Sequence, residues 1–211
     1  MTAHPLHEVL RHALADHHLA RLRARETDSA AFHADVHAVS LLLAAACSRD
    51  LPTTTTTIQT PLQSMNTRKI STRIALVPIL RAGLGMVQGF RELLPFAAVH
   101  HIGIRRDEAT AAPIPYYDLR RDQHPPDIAF VLDPMLATGG SAICAIRMLQ
   151  EWGVQDIRMA AIIAAPEGLQ AIAAHTPDVR VMTAALDEQL DENCYIRPGL
   201  GDAGDRLFGT T

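Results

Sequence analysis

DIAFVLDPMLATGGSAICAIRMLQEWG, which spans residues 127–153, contains an apolar run, a glycine-bearing turn and an amphipathic run in succession. The first run has the length of a buried strand. The last repeats its apolar residues at helical spacing up to Gly153, which suits a C-terminal cap. A second apolar run, IRMAAIIAA, follows at residues 157–165. A strand, a crossover helix and a parallel strand predict an α/β fold, with a mostly parallel central sheet flanked by helices.

The rest of the chain continues this alternation of strands and helices. Apolar runs at residues 73–80, 97–104 and 178–186 predict more strands of the same sheet. Residues 1–50 form a predicted helical N-terminal region, and residues 105–127, polar and with four prolines, predict a protruding loop or hairpin. With 211 residues we expect a single domain, residues 1–211.

The N-terminal region contains two segments with helical periodicity, at residues 5–26 and 28–49. Asp28 or Ser29 is the expected N-cap of the second helix. The threonine-rich stretch TTTTTIQTPL, residues 53–62, is bounded by prolines and predicts an extended segment.

Composition and charge exclude several classes of protein. Hydrophobic residues make up 48% of the chain and charged residues 20%, which is typical of a globular protein with a packed core. The net charge of −4 argues against a surface that neutralises the phosphates of a nucleic acid. Three widely spaced cysteines indicate neither a zinc site nor a disulfide framework. Without a signal-like N-terminus or a long uninterrupted apolar run, we expect a cytoplasmic protein and no membrane partner.

The turn ATGGSA, residues 137–142, predicts a phosphate-binding loop. It opens a helix, where free backbone N–H groups and the helix dipole favour an anion. Gly139 and Gly140 let the backbone approach a phosphate closely, while Thr138 and Ser141 supply hydroxyl donors. Thr-Gly-Gly by itself is more often a plain strand-to-helix turn. Asp133 and the buried strand before it favour the phosphate loop over that alternative.

Two other glycine-bearing stretches are candidates for binding. In VPILRAGLGM, residues 77–86, Arg81 follows a strand and offers a forked cation suited to diphosphate; a surface arginine beside a tight turn is the alternative. The stretch YIRPGLGDAGDRLFGT, residues 195–210, contains four glycines. Because each glycine costs about 1 kcal/mol in a helix, we expect an ordered loop or a frayed tail there. Apolar residues favour a tail that is tied down: Tyr195, Ile196, Leu200, Leu207 and Phe208.

Together these stretches resemble the uracil phosphoribosyltransferases. VPILRAGLGM, DPMLATGGSA, AAPEG and PGLGDAGDRLFGT have the family's form, and the similarity covers nearly the whole chain. The resemblance implies the type I phosphoribosyltransferase fold, with residues 186–211 as a base-binding hood. It also implies transfer of the 5-phosphoribosyl group from 5-phosphoribosyl 1-diphosphate (PRPP) to uracil, which gives UMP and diphosphate in pyrimidine salvage. The implied cofactor is Mg2+, held mainly through PRPP, and the implied assembly is a homodimer or higher oligomer with GTP as an effector.

The resemblance also implies a set of site residues. Arg81 and Arg106 would bind the diphosphate, and Asp202 would contact PRPP near its reacting carbon. Asp202 and Arg106 are therefore the predicted catalytic residues. Uracil would be read by Ile196, Gly201, Asp202 and Ala203. The ribose and its 5-phosphate would lie against a continuous stretch: Asp133, Pro134, Met135, Leu136, Ala137, Thr138, Gly139, Gly140 and Ser141.

Four positions depart from the family's usual pattern. Ala45 and Ala46 stand where an aromatic residue and a Glu are usual, which we expect to alter a subunit contact. Arg105 stands where Tyr is common, and Arg197 where an apolar residue is common. We expect these changes to affect turnover, base preference or effector response rather than the class of reaction.

Other functions stay open at this point. A phosphoribosyltransferase for a purine or for orotate is the nearest rival, and Arg197 is the local cation that could meet the carboxylate of orotate. A regulatory protein that keeps the fold and binds RNA is the second alternative, although its basic face is not expected from an acidic chain.

Isolated histidines and cysteines carry weaker signals. His33 and His37 have a spacing that suits zinc, but no third ligand accompanies them, so solvated or interface histidines are favoured. Cys144 lies in the apolar pattern of the helix after the turn and is expected in the core rather than as a nucleophile. Glu167 of AAPEG is expected to orient a loop or to cap the next helix.

Overall fold

A computed structural model describes residues 7–106, 113–117 and 124–210 of the chain. Within these ranges the helices are α1 (Ala13–Arg23), α2 (Ser29–Ser48), α3 (Leu84–Leu93), α4 (Gly140–Trp152), α5 (Pro166–His175) and α6 (Ala203–Phe208). The strands are β1 (His7–Val9), β2 (Thr53–Gln59), β3 (Ser64–Ile70), β4 (Ile74–Leu80), β5 (Ala98–Val99), β6 (Ile102–Arg106), β7 (Pro113–Tyr117), β8 (Ile128–Leu132), β9 (Met135–Leu136), β10 (Asp156–Ala164), β11 (Arg180–Leu186), β12 (Gln189–Leu190) and β13 (Ile196–Arg197).

The central sheet has the order β1-β11-β10-β8-β4-β6-β7, and two short strands extend it where β5 pairs with β4 and β9 pairs with β10. The pairings within it are parallel, except that β7 runs antiparallel to β6. The predicted unit of β8, α4 and β10 is present, with Asp156 in register with Ile128. The predicted α/β class with a mostly parallel sheet is confirmed.

Helices cover both faces of this sheet, as continuous apolar strands require. Alternate residues of β4 divide between the two faces. Ile74 and Leu76 pack in a core with α1, α2, α3 and α6. Ala75 and Val77 pack in a second core with α4 and α5. The sheet is therefore the middle layer of three.

Helix α2 is the longest helix in the described ranges, and by length and composition alone it could cross a membrane. Its apolar face, which includes Phe32, Val36, Val39 and Leu43, is fully buried in the first core. The side chain of Asp28 accepts a hydrogen bond from the N–H of Ala31 and so caps the helix, as predicted. In this structure α2 is a core helix of a three-layer fold.

The N-terminal region is less helical than the sequence predicts, because the expected helix from residue 5 begins only at Ala13. Residues 7–9 instead form β1, which pairs in parallel with β11, and His7 Nε2 lies 3.0 Å from Thr183 Oγ1. The open edge of β11 offers backbone partners that a helix could not use. The predicted helical region 1–50 is therefore corrected at this point.

Two strand predictions also change. The expected strand at residues 97–104 is divided into β5 and β6, which both pair with β4. The predicted extended segment after Pro52 is β2, and it pairs with an unpredicted strand, β3, in an antiparallel hairpin. All but one residue of β3 are exposed, so its sequence lacks the alternation of a half-buried strand.

Residues 105–127 are described only in part. Strand β7 returns antiparallel along β6, so this part of the predicted loop or hairpin is a hairpin at the edge of the sheet. The backbone of Arg105 and Arg106 lies in β6, whereas their side chains lie outside the described part of the structure.

A buried ion network ties α2 to the sheet at the opposite edge from the strands' carboxyl ends. The guanidinium of Arg158, a residue that is 4% exposed, donates to Asp156 (2.8 Å), to Asp50 (2.6 Å) and to the carbonyl of Cys47 (2.8 Å). Burial raises the pKa of the Asp50 carboxyl, but Arg180 and Arg158 outweigh it, so this pKa lies below its ordinary value. The network also satisfies a carbonyl in the last turn of α2.

We predict that Gly89 is required for the close packing of α3 on α2. A Cβ at this position would lie 2.8 Å from the carbonyl oxygen of His37, from the backbone nitrogen of Leu41 and from Ser40 Cβ. Replacing Gly89 with Ala should lower the free energy of unfolding by about 1–3 kcal/mol. Thermal unfolding should then show a Tm lower by about 2–4 °C for each kcal/mol lost. Gln88→Ala, at the exposed neighbouring position, is the control, and an equal loss in both variants would contradict the prediction.

Candidate active site

The turn between β9 and α4 has the form of an anion-binding cradle, here defined as residues 137–141. Its N-cap is Gly139, which adopts a left-handed conformation with φ of 82° and has no side chain to bond the first N–H groups of α4. The hydroxyl of Thr138 lies 3.5 Å from the backbone nitrogen of Gly140. Backbone N–H groups at a helix start attract an anion, since the helix dipole adds positive potential there.

The sheet holds the cradle in place. Asp133 directly follows β8, and one of its carboxylate oxygens accepts a hydrogen bond from the N–H of Met135 at 3.3 Å. The buried carbonyl of Pro134 accepts from the N–H groups of Ile162 and Ile163, both at 3.0 Å. Residues 133–136, which connect β8 to the cradle, are therefore held by backbone hydrogen bonds to the sheet.

Helix α5 supports the cradle from behind. At Gly168 a Cβ would lie 2.4 Å from the carbonyl oxygen of Ala137 and 2.8 Å from that of Leu136. Only glycine permits this approach of the helix to the cradle. The neighbouring residue, Glu167, accepts a hydrogen bond from the N–H of Leu190 in the C-terminal segment at 3.0 Å. Of its two predicted roles, orienting a loop or capping the next helix, this contact fits the first.

An open cleft of about 370 Å³ lies between the cradle and the C-terminal hood, residues 186–210 in the described chain. Most of the residues predicted to bind PRPP line it, and so do two predicted uracil residues. The lining residues are Asp133, Met135, Leu136, Ala137, Thr138, Gly139, Gly140, Ser141, Ala142, Asn193, Cys194, Tyr195, Ile196 and Asp202.

The end of the hood is an ordered turn and a short helix, which corrects the expectation of a loop or tail without helix. Asp202 caps α6 by accepting a hydrogen bond from the N–H of Asp205 at 3.0 Å. Among the glycines, Gly204 lies inside the helix, while Gly199, Gly201 and Gly209 adopt positive φ outside it. The helix thus forms because its flanking glycines supply the turns and do not interrupt it.

Apolar side chains anchor the hood, as predicted. Ile196, Leu200 and Leu207 are buried in the first core, together with Ala203. Tyr195 and Phe208 were expected among the anchors, but they are 49% and 42% exposed. Three of the five predicted anchors therefore hold the hood.

A turn around Asp191 supplies three cleft residues that the sequence did not predict: Asn193, Cys194 and Tyr195. One oxygen of Asp191 accepts from the N–H groups of Asn193 (3.0 Å) and Tyr195 (2.9 Å), and the other accepts from Arg197 Nε (2.8 Å). These backbone bonds, first that of Tyr195, and the guanidinium hold the pKa of Asp191 below its ordinary value. An Asp that bonds its own following backbone is a turn signal in sequence.

The remaining predicted residues surround the cleft or lie outside the described part. Arg81 does not line it; its Nη2 lies 3.3 Å from Asp205 Oδ1, next to the start of α6. Gly201 and Ala203 flank Asp202 in the hood. The side chain of Arg106 lies outside the described part, so its predicted role stays a prediction.

His33, His37 and Cys144 lie outside the residues that line the cleft. His37 Nε2 lies 2.9 Å from Glu92 Oε1, and His33 is exposed. Cys144 packs against the second core, where burial raises the pKa of its thiol. Among the described residues, no group of three or more His, Cys, Asp or Glu side chains could hold a metal ion.

Comparison with known proteins gives the family. The model of the uracil phosphoribosyltransferase family matches residues 9–210. A uracil phosphoribosyltransferase from Pediococcus pentosaceus is 49% identical over 208 residues, which cover 96% of this chain and 98% of that relative. The chain belongs to the uracil phosphoribosyltransferase family. A second member of this family, from Roseiflexus sp., is 46% identical, with 96% of this chain and 97% of that relative covered.

Solved structures share the fold of this chain. The AQ2163 protein from Aquifex aeolicus superimposes with a TM-score of 0.91 at 31% identity, covering 97% of this chain and 99% of that one. A hypoxanthine phosphoribosyltransferase from Staphylococcus aureus, 12% identical with a TM-score of 0.51, covers 80% and 85% and shows the shared fold alone. The predicted family and fold are confirmed, and the chain is an enzyme of the phosphoribosyltransferase class.

We predict that Gly139 is required for phosphate binding in the cradle. Replacement with Ala strains the left-handed backbone by about 1–2 kcal/mol and puts a Cβ 3.1 Å from that of Ala171. Affinity for ribose 5-phosphate should fall about tenfold by calorimetry, because 1.4 kcal/mol corresponds to that factor.

Gly153→Ala is the matched control for this experiment. Gly153 caps the other end of α4 with φ of 103°, so its replacement carries a similar backbone strain away from the cleft. Equal loss of affinity in both variants would mean that the cradle is not the phosphate site.

Proposed function

We propose that this cleft is where the chain transfers the 5-phosphoribosyl group from PRPP to uracil, giving UMP and diphosphate in pyrimidine salvage. One observation carries the proposal: the cradle and the hood residues Ile196 and Asp202 line the same cleft. A sugar phosphate seated at α4 would thus present its reacting carbon toward a base held by the hood. Family membership supports the same reaction.

The cradle is suited to the 5-phosphate by its backbone. Gly139 and Gly140 leave the backbone accessible, and the hydroxyls of Thr138 and Ser141 line the same cleft. Asp133, at the end of β8, is placed to accept hydrogen bonds from ribose hydroxyls. In the proposed site the cradle thus binds the 5-phosphate, and the carboxylate of Asp133 binds the ribose.

The hood is suited to a small neutral base. Uracil offers an N–H between two carbonyls, and backbone donors and acceptors of Ile196, Gly201, Asp202 and Ala203 would meet this edge. Cytosine would leave some of these groups unpaired, which is an effective means of rejection. The base is thus selected without a charged side chain.

The reaction needs positioning and charge stabilisation more than covalent catalysis. As the bond from C1 of the ribose to the diphosphate breaks, positive charge develops on the sugar and negative charge on the leaving group. Asp202 is proposed to stabilise the first, and Arg81 and Arg106 the second. The side chain of Arg81 is 58% exposed in its ion pair with Asp205. Exposed ion pairs contribute only about 0–1 kcal/mol to stability, so the diphosphate can replace Asp205 as the partner of Arg81.

Magnesium fits this cleft as a cation held mainly by the substrate. Asp133 and Asp202 are carboxylates that line the cleft, and Mg2+ is usually bound by one or two carboxylates with phosphate oxygens and water. When bound with PRPP it would neutralise charge on the diphosphate. Asp133 and Asp202 are the residues proposed to hold it.

Arg197 does not favour orotate as the substrate. Its guanidinium is bound to Asp191, with Nε at 2.8 Å and Nη2 at 2.6 Å from Oδ2. Asp191 is itself fixed by the N–H groups of Asn193 and Tyr195, and Arg197 does not line the cleft. The cation that the sequence offered for the carboxylate of orotate thus belongs to the Asp191 turn, and this placement favours uracil over orotate.

We also propose that the protein is a cytoplasmic homo-oligomer and that GTP is an effector of its activity. Exposed apolar side chains support self-association: Leu14 of the N-terminal helices is 56% exposed, and Leu62 in the β2–β3 hairpin is 94% exposed. Ala45, one of the family departures, is also exposed at the surface of α2. Light scattering tests the assembly, with a monomer at assay concentration as the contrary result, and assays with and without GTP test the effector.

We predict that purified protein, in the presence of Mg2+, converts labelled uracil and PRPP into UMP and diphosphate, and that Asp202→Asn lowers kcat about 100-fold or more. This is the loss expected when one preorganised electrostatic group is removed. Asn is as good an N-cap as Asp, so α6 should persist in the variant. Asp28→Asn, which alters the cap of α2 away from the cleft, is the control. Absence of UMP with the wild-type protein would refute the proposed reaction.

We predict that the wild-type protein uses uracil and leaves orotate, cytosine and hypoxanthine unreacted. Arg197→Val should change kcat/KM for uracil less than about fivefold, because an exposed ion pair contributes less than about 1 kcal/mol. The measurement is UMP formation across a panel of bases. Orotate turnover that disappears in the variant would show that Arg197 reads a substrate carboxylate. An RNA gel shift across salt concentrations tests the regulatory alternative.

A further inference from the structure

One partly buried ion pair, between Arg23 and Asp187, binds both the backbone N–H and the backbone carbonyl of Gly199 in the hood. Arg23 Nη2 donates to Asp187 Oδ1 at 2.5 Å, and Arg23 Nη1 donates to Asp187 Oδ2 at 2.8 Å. The same Nη1 donates to the carbonyl of Gly199 at 2.7 Å. Asp187 Oδ2 accepts from the N–H of Gly199 at 2.8 Å. The backbone of Gly199 is therefore fixed on both sides by one pair of side chains.

The pair connects three parts of the fold. Arg23 is the last residue of α1, and Asp187 directly follows β11 at the carboxyl edge of the sheet. The side chain of Asp187 is 3% exposed, and its backbone N–H donates to Ala164 O at 2.8 Å. Gly199 is buried and lies in the turn between Ile196 and Asp202. The N-terminal helix thus determines where this turn sits against the sheet.

A second arginine fastens the same turn to the same helices. Arg206 Nη1 donates to the carbonyls of Leu22 (2.5 Å) and Leu200 (2.7 Å), and Nη2 donates to that of Ala24 (2.7 Å). Its guanidinium also lies over the ring of Phe32, 4.3 Å from the centroid. The turn is thus linked to the end of α1 by Arg23 at Gly199 and, through Arg206, at Leu200.

We propose that Arg23 and Asp187 are positioning residues for base recognition, an inference that rests on the proposed function. Neither residue lines the cleft, and both carboxylate oxygens of Asp187 are occupied by Arg23 and by the N–H of Gly199. Their effect passes through Gly199 to the neighbouring backbone groups that read uracil. Such groups discriminate only when they are held close to the productive geometry. A bidentate arginine gives that geometric precision, whereas a lysine cannot reproduce the fork.

The first experiment compares Arg23→Lys and Asp187→Asn with the wild type in steady-state kinetics. Loss of one or two hydrogen bonds that hold the turn should raise KM for uracil about tenfold. We expect kcat to change less than about threefold and KM for PRPP less than about twofold, since the cradle is untouched and Asp202 remains held by the N–H of Asp205 at the start of α6. The preference for uracil over cytosine should fall in both variants.

Arg21→Lys is the matched control. Arg21 also lies on α1 and donates through Nε to a buried carboxylate, Asp35, at 2.9 Å, but the contact joins α1 to α2 and does not reach the hood. This variant should lower Tm without moving KM for uracil. If Arg23→Lys and Asp187→Asn behave in the same way as this control, the pair is merely structural and the proposal is wrong.

Hydrogen exchange without substrate separates this proposal from the proposed function. The amides of residues 196–201 should exchange faster in Arg23→Lys and in Asp187→Asn, and remain unchanged in Arg21→Lys. Unchanged exchange in the first two variants would overturn the positioning role even if the wild type forms UMP. Absence of UMP with faster exchange would instead refute the reaction and leave the role of the pair in holding the turn established.

Discussion

The parallel pairing of β8 with β10 across α4 is the constraint on which the rest of the structure depends. It brings the end of β8 and the start of α4 to the same edge of the sheet, where the carboxyl ends of parallel strands place binding residues. The bonds from Ile162 and Ile163 to Pro134 then fix the connection between them. Because the connection that leads into the cradle is bonded to β10, a strand with eight of its nine residues buried, the proposed anion site is ordered before the anion binds.

The hood completes the cleft with much less secondary structure. It contains two strands of two residues each and one helix of six, so regular structure alone cannot hold it. Apolar side chains anchor the hood in the first core, and Arg23 and Arg206 donate hydrogen bonds to its backbone carbonyls. Arg206 satisfies carbonyls of a loop and of a helix end at once, which is a task for a planar group with several donors. The N-terminal helices thus hold the hood in place through their contacts.

The sequence predicts the elements whose local and long-range signals agree. The unit of β8, α4 and β10 has strand length, helical periodicity and a capping glycine, and it was predicted correctly. Strand β1 was not, because its residues continue a helical pattern and only the open edge of β11 selects the extended form. The prediction of a loop or tail without helix at residues 195–210 was wrong because three of the four glycines lie outside α6, where they adopt positive φ. Arg23 and Asp187 are 164 residues apart and have no local pattern to relate them.

Arg197 departs from the family's pattern, but it does not line the cleft. Arg197 lies in β13 next to Ile196, yet its side chain points to Asp191 and completes the turn that carries Asn193 and Tyr195. An apolar residue would leave that carboxylate with its backbone partners alone. A cation beside the proposed base site thus has a structural partner, so it can be present without adding charge to the proposed recognition of uracil. If the base is read by backbone groups, as proposed, the site would tolerate such a change, because its specificity would depend on where the turn is held.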